Sequence, residues 1–185
     1  MEKILLLGDN TIEQFPIELL ENGTNSIINA GIKNIGITLY HNDVLPQLQK
    51  KVQEIDYIII QIGITDLISA NKEKQINADE LIQRFKRMLL DVYHFRASLI
   101  ILPIFPTQDE KLNQTIKEFN EKLAQECFES EIEFLEIYDL LLDKNDLLKT
   151  TYTEDGFNLS YAGYCLVANQ ITELIKLLNN NNYCM

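Results

Sequence analysis

The sequence predicts a three-layer α/β domain built on a five-stranded parallel sheet, and three observations point to it. Lys3-Ile4-Leu5-Leu6-Leu7 and Asp56-Tyr57-Ile58-Ile59-Ile60-Gln61-Ile62 are apolar at successive positions rather than alternating, the pattern of strands buried on both faces. Strand-like runs alternate with helix-length amphipathic stretches, so successive strands pair in parallel through right-handed crossovers. The first strands end in turns rich in Gly, Asn and Asp, at the carboxyl edge where open α/β sheets hold ligands.

The first strand closes in Gly8-Asp9-Asn10-Thr11, after which Ile12, Phe15, Ile17, Leu19 and Leu20 form a short apolar segment ended by Glu21-Asn22-Gly23. Ser26-Ile27-Ile28-Asn29 reads as the second strand. Its turn allows two registers, because Asn29-Ala30-Gly31-Ile32 recurs as Asn34-Ile35-Gly36-Ile37. A helix is expected from about Leu39 to Gln53, with Pro46 weakening its first turns. The run from Asp56 to Ile62 is β-branched and should be the central strand; it ends in Gly63-Ile64-Thr65-Asp66. Asn77 with Glu80 three residues on marks a helix start, and Leu81, Ile82, Phe85, Met88, Leu89 and Val92 supply its buried stripe. Ser98 to Pro103 is the fourth strand, Gln108 to Phe128 a helix, Glu133 to Glu136 the fifth strand, Tyr138 to Leu142 a helical turn, and Ser160 to Leu178 the last helix.

At 185 residues, 46% of them hydrophobic, the chain can bury one sizeable core. The expected organisation is a single domain over 1–178 followed by an Asn-rich, frayed tail over 179–185. A net charge of -12 argues against nucleic acid and anionic membrane surfaces, which are contacted through clusters of Lys and Arg. A small neutral or acylated ligand fits better, with a protein partner as a further option. No apolar run near the start is long enough for a signal peptide or a spanning helix, so the expectation is a cytoplasmic protein without membrane insertion. Cys127, Cys165 and Cys184 are odd in number and far apart, which fits reduced thiols rather than a disulfide framework or a zinc site. No metal or cofactor is expected.

Four separated segments resemble, in order, the blocks of the SGNH hydrolases, also called GDSL-type esterases and lipases. Gly8-Asp9-Asn10 resembles Gly-Asp-Ser. Asn29-Ala30-Gly31-Ile32 resembles the block whose glycine N–H lines the oxyanion hole. Gly63-Ile64-Thr65-Asp66 is similar to Gly-x-Asn-Asp, and Asp155-Gly156-Phe157-Asn158-Leu159-Ser160 with Gly163-Tyr164 is similar to Asp-Gly-x-His-Leu-Ser followed by Gly-Tyr. The resemblance implies a flavodoxin-like strand order 2-1-3-4-5 and a cofactor-free ester hydrolase, or acylhydrolase, ancestry.

Against that pattern, Asn10 stands at the nucleophile position, Asn158 at the base position and Thr65 at the oxyanion asparagine, while Gly31 and Asp155 keep the family identities. A carboxamide neither attacks an ester usefully nor shuttles protons near neutrality. Losing a triad member costs about 10⁴ to 10⁶ in turnover. The expected protein is therefore a catalytically deficient pseudoenzyme that keeps a hydrogen-bonding pocket. The alternative is an active esterase on small acyl or acetyl esters of carbohydrate or lipid, working through a rearranged site containing His41 as base or an activated water. His94 is placed at the opposite sheet edge. Whether Gly31 or Gly36 fills the second block is left open by the residues.

Overall fold

A computed structural model describes residues 2–21, 23, 25–73 and 77–182; Cys184 and the last of the tail lie outside the described residues. Five strands, β1 (Lys3–Gly8), β2 (Ser26–Gly31), β3 (Tyr57–Gln61), β4 (Ser98–Ile101) and β5 (Glu133–Phe134), form one sheet in the order β2-β1-β3-β4-β5. Every pair is parallel, and the register sets Gly8 beside both Gly31 and Gln61. The expected order and the expected parallel pairing are both present.

The two faces explain the uninterrupted apolar strands. Leu5, Leu7, Ile58 and Ile60 pack with Tyr40, Leu45, Phe85, Met88, Ile116 and Phe119 on one side. Ile4, Leu6, Tyr57 and Ile59 pack with Ile12, Phe15, Tyr164, Val167 and Ile171 on the other. The first face is covered by α2 (Ile37–Leu39), α3 (Leu45–Lys51), α4 (Ile64–Glu73), α5 (Ala78–Val92) and α6 (Glu110–Glu129). The second is covered by α1 (Asn10–Glu13) and α7 (Tyr161–Asn182).

Several boundaries differ from the sequence reading. The helix expected from Leu39 is a composite, in which a π-helical turn over Tyr40–Val44 joins α2 to α3, with Pro46, which has no N–H to donate to the preceding turn, near the start of α3. Helix α4 follows Gly63 directly, where the sequence reads only as a turn. Asn77 caps α5 by accepting the Glu80 N–H at 2.9 Å, as the sequence suggests. Helix α7 runs past the expected end at Leu178 to Asn182. Asn179 is fastened rather than frayed, since its Oδ1 accepts from the Tyr57 hydroxyl at 2.7 Å and its Nδ2 donates to Glu2. Among the described residues no helix is long and apolar enough to cross a membrane.

Candidate functional site

All four sequence blocks lie at the carboxyl edge of the sheet, and buried carboxylates fasten three of them together. Asp9, fully buried, crosses from the end of β1 to the turn after β3, where its Oδ2 accepts the N–H groups of Gly63 at 2.9 Å and Ile64 at 3.1 Å. Asp66, in the first turn of α4, accepts the Ile37 N–H at 2.8 Å and so holds the loop after β2. Arg84 Nη1 stands 3.9 Å from its other oxygen. The last block is joined to the first by Tyr164, whose hydroxyl donates to the Thr11 carbonyl at 3.0 Å and whose ring meets Phe15 edge-on.

Burial pushes the Asp9 carboxyl up to about 7, against the lowering effect of the Gly63, Ile64 and Thr11 N–H groups. Asp9 Oδ1 and Gln61 Oε1 are each buried without a hydrogen-bond partner among the described residues. Burial raises Asp66 as well. These two carboxyls are therefore structural posts of the site rather than groups facing solvent.

Asn10 opens α1, and its Oδ1 accepts the backbone N–H of Asn34 at 2.5 Å. Gly31 sends its N–H to Asn29 Oδ1 at 2.9 Å, and a Cβ at Gly31 would sit 2.2 Å from Glu13 N and 2.5 Å from Ile12 C. Gly31 is thus a place where the α1 backbone passes close. Gly36 lies against Asp66, whose carboxylate oxygen would be 2.8 Å from an added Cβ. The amide presented to residue 10 belongs to neither glycine but to Asn34, in a left-handed conformation with φ of 57°. The signal for it was the residue type, since Asn tolerates this region better than other non-glycine residues.

Asp155 and Asn158 form a closed pair. Asp155 Oδ1 accepts the N–H groups of Phe157 at 2.8 Å and Asn158 at 2.7 Å, and its Oδ2 accepts Asn158 Nδ2 at 2.7 Å. The Asn158 side chain, followed by these N–H groups, holds the Asp155 carboxyl below its usual range. Thr153 braces the loop by donating its hydroxyl to the Asn158 carbonyl at 2.7 Å. Ser160 precedes α7 and accepts the Gly163 N–H at 3.4 Å.

Thr11 and Asn158 share the walls of a cavity of about 20 Å³, otherwise lined by Ile64, Ile104, Phe105, Thr107, Phe157 and Leu159. Such a space holds one water molecule or one methyl group. Thr65 sits in the first turn of α4, partly exposed, outside this lining. His41 lies elsewhere: its Nε2 pairs with Asp91 Oδ2 of α5 at 2.7 Å, and Asp91 is also 4.0 Å from His94 Nδ1. A larger groove of about 340 Å³, between α6 and the chain following β5, is lined by Lys117, Phe134 and Tyr138 and contains none of the expected site residues. Among the described residues no His, Cys, Asp and Glu cluster could hold a metal ion.

Comparison with known proteins gives the same frame. The model of the GDSL-like lipase/acylhydrolase family matches residues 8–166. A Streptococcus pneumonia structure named for platelet activating factor is 24% identical with a TM-score of 0.79, over 94% of this chain and 84% of that one. A member of the lipolytic protein G-D-S-L family from Veillonella parvula is 14% identical with a TM-score of 0.79, over 95% and 99%. A carbohydrate esterase family 3 structure from Talaromyces cellulolyticus is 17% identical with a TM-score of 0.73, over 97% and 99%. At these identities the likeness is one of fold. A search of curated proteins found no match.

Proposed function

The chain belongs to the GDSL-like lipase/acylhydrolase family, and on that premise we propose that it holds a small neutral or acylated ligand at the family's site without hydrolysing it. The observation that carries this reading is the bond from the Asn34 N–H to Asn10 Oδ1. An N–H at this position would stabilise the oxyanion of an ester undergoing attack. Here the side-chain carbonyl of residue 10 takes it, so one carboxamide removes the nucleophile and fills the donor that a reacting carbonyl needs.

The base position supports the same reading. Asn158 Nδ2 makes the hydrogen bond to Asp155 that an imidazole N–H would make, which preserves the scaffold of the pair while supplying no group that titrates near neutrality. The competing reading, hydrolysis of small acyl or acetyl esters through His41, finds its proposed base tied to Asp91. In this proposal Asn10, Thr65, Asp155 and Asn158 form a binding edge, Asn34 supplies the donor first expected of Gly31, and the protein works in the cytoplasm.

Incubation with a fluorophosphonate probe and with p-nitrophenyl acetate tests the proposal, beside a thermal-shift series of acetylated small molecules. The expected result is no labelling and no turnover, with a saturable rise in Tm for some acetylated compounds. Labelling at Thr11 or steady turnover would overturn it.

A further inference from the structure

The groove of about 340 Å³ between α6 and the chain following β5 contains no residue of the four sequence blocks, and its walls are tied to the backbone. Asn120 of α6 accepts the Ile104 N–H at 2.9 Å and donates to the Ile104 carbonyl at 2.8 Å. The Pro103 carbonyl accepts from Gln61 Nε2 at 3.0 Å. On the other wall Phe134 pairs with Ile101 in the sheet, and the Leu135 N–H reaches the Ile101 carbonyl at 2.9 Å. A preformed space of this size accommodates a small organic molecule.

The lining selects among such molecules by charge. Among the described residues it carries three carboxylates, of Glu121, Glu136 and Asp139, and one ammonium, of Lys117, beside the aromatic rings of Phe134 and Tyr138. None of these four charged groups enters an ion pair among the described residues, so the negative excess is not neutralised within the chain. Tyr138 feels that excess: burial, and then the charges of Asp139 and Asp146, push its hydroxyl up to about 12. An anion meets net repulsion in this groove, and a neutral ligand leaves the carboxylates to water. A cation on an apolar body meets carboxylates and aromatic surface together. Independently of what the family's site holds, we propose that this groove is a second binding site, for a small organic cation, an ammonium or guanidinium group carried on an apolar body. Lys117 is then the competing charge, and the site strengthens when it is removed.

The experiment is an NMR titration of ¹⁵N-labelled full-length protein at low salt with four compounds sharing one body: phenethylamine, phenethylguanidine, 2-phenylethanol and phenylacetate. The amide resonances of Phe134, Glu136 and Tyr138 are followed. Both cations should shift them saturably, at about fivefold lower concentration or better than 2-phenylethanol, with phenylacetate weaker still. Either order of the two cations supports the assignment and names the head group. Glu136→Gln should weaken phenethylamine binding about two- to fivefold, and Lys117→Gln should tighten it by a similar factor, two effects of opposite sign at exposed positions. Added salt should weaken binding of both cations. Binding of 2-phenylethanol as tight as that of phenethylamine, unchanged affinity in both variants, or no shift at these three residues with either cation would overturn the proposal. None of these results bears on the reading of the site at Asn10 and Asn158.

Discussion

Asn158 donates its side-chain Nδ2–H to Asp155 Oδ2 at 2.7 Å, while Asp155 Oδ1 accepts the Asn158 backbone N–H at the same distance. The carboxylate is thus already oriented toward position 158, whatever side chain occupies it.

That orientation makes the chemistry recoverable. In the combined variant Asn10→Ser, Thr65→Asn, Asn158→His, the shorter serine releases the Asn34 N–H from the residue 10 carbonyl, and the new imidazole inherits Asp155. Because triad members act as a unit, each single change should alter acetyl ester hydrolysis by less than about threefold, while the combination should exceed wild type by at least about 10². Initial rates with p-nitrophenyl acetate decide it. A large gain from Asn10→Ser alone would show that another base is already in place.

His41 is held by Asp91 at 2.7 Å, away from Asn10 and Asn158. His41→Ala should therefore leave any residual ester hydrolysis unchanged within error, and should leave labelling of the combined variant by a fluorophosphonate probe unchanged. Loss of activity in His41→Ala with retention in Asn158→Ala would restore the rearranged-site reading.

Gly31→Ala should be costly although the position is only half-buried, because the atoms it would strike are backbone atoms of α1. Accommodating the methyl requires α1 to shift, which costs about 1–3 kcal/mol and lowers Tm by roughly 2–10 °C. Differential scanning calorimetry measures the loss. The shift also carries Asn10 with it, so the Asn34 amide resonance should move.

Asp9 predicts a pH dependence with a definite sign. Its carboxyl rises from 3.8 to about 7 on burial, so between these values the native state holds a proton that the unfolded chain has released. The stability from Asp9 is fully present below about 3.8 and is lost as pH rises through about 7. In an Asp9→Asn variant the carboxamide oxygen still accepts the Gly63 and Ile64 N–H groups, but the side chain does not titrate. Relative to wild type, that variant should gain stability from about pH 4 to about pH 7 and level off above it, read as the difference in Tm across the series; a difference that shrinks over this range would refute the assignment.

The sheet was legible because burial on both faces writes itself into composition: β1 and β3 carry no polar residue between Ile4 and Leu7 or between Ile58 and Ile60. The approximate placing of the four blocks at one edge was legible for the same reason, since each follows a strand or precedes the last helix. Helix α4 was hidden because its first residues were absorbed into a turn motif and no cap separates it from Gly63. The Asn34 amide was hidden because its role belongs to the backbone and depends on a φ of 57°, for which the Asn residue type is only a general signal. The face of His41 was hidden because the π-helical turn Tyr40–Val44 changes the residue count per turn and so rotates every later side chain relative to an α-helical wheel.

The hydroxyl of Tyr164 reaches the Thr11 carbonyl across 153 positions of sequence. Closing a loop of that length costs more chain entropy than closing the short β1–α1–β2 crossover, and the cavity wall formed by Phe157, Asn158 and Leu159 comes from the segment just before α7. The cavity shared by Thr11 and Asn158 then has no counterpart in a partly folded chain. The two walls of that cavity are thus drawn from opposite ends of the chain, Thr11 near its start and 157–159 near its end, and it is complete only when both ends are in place.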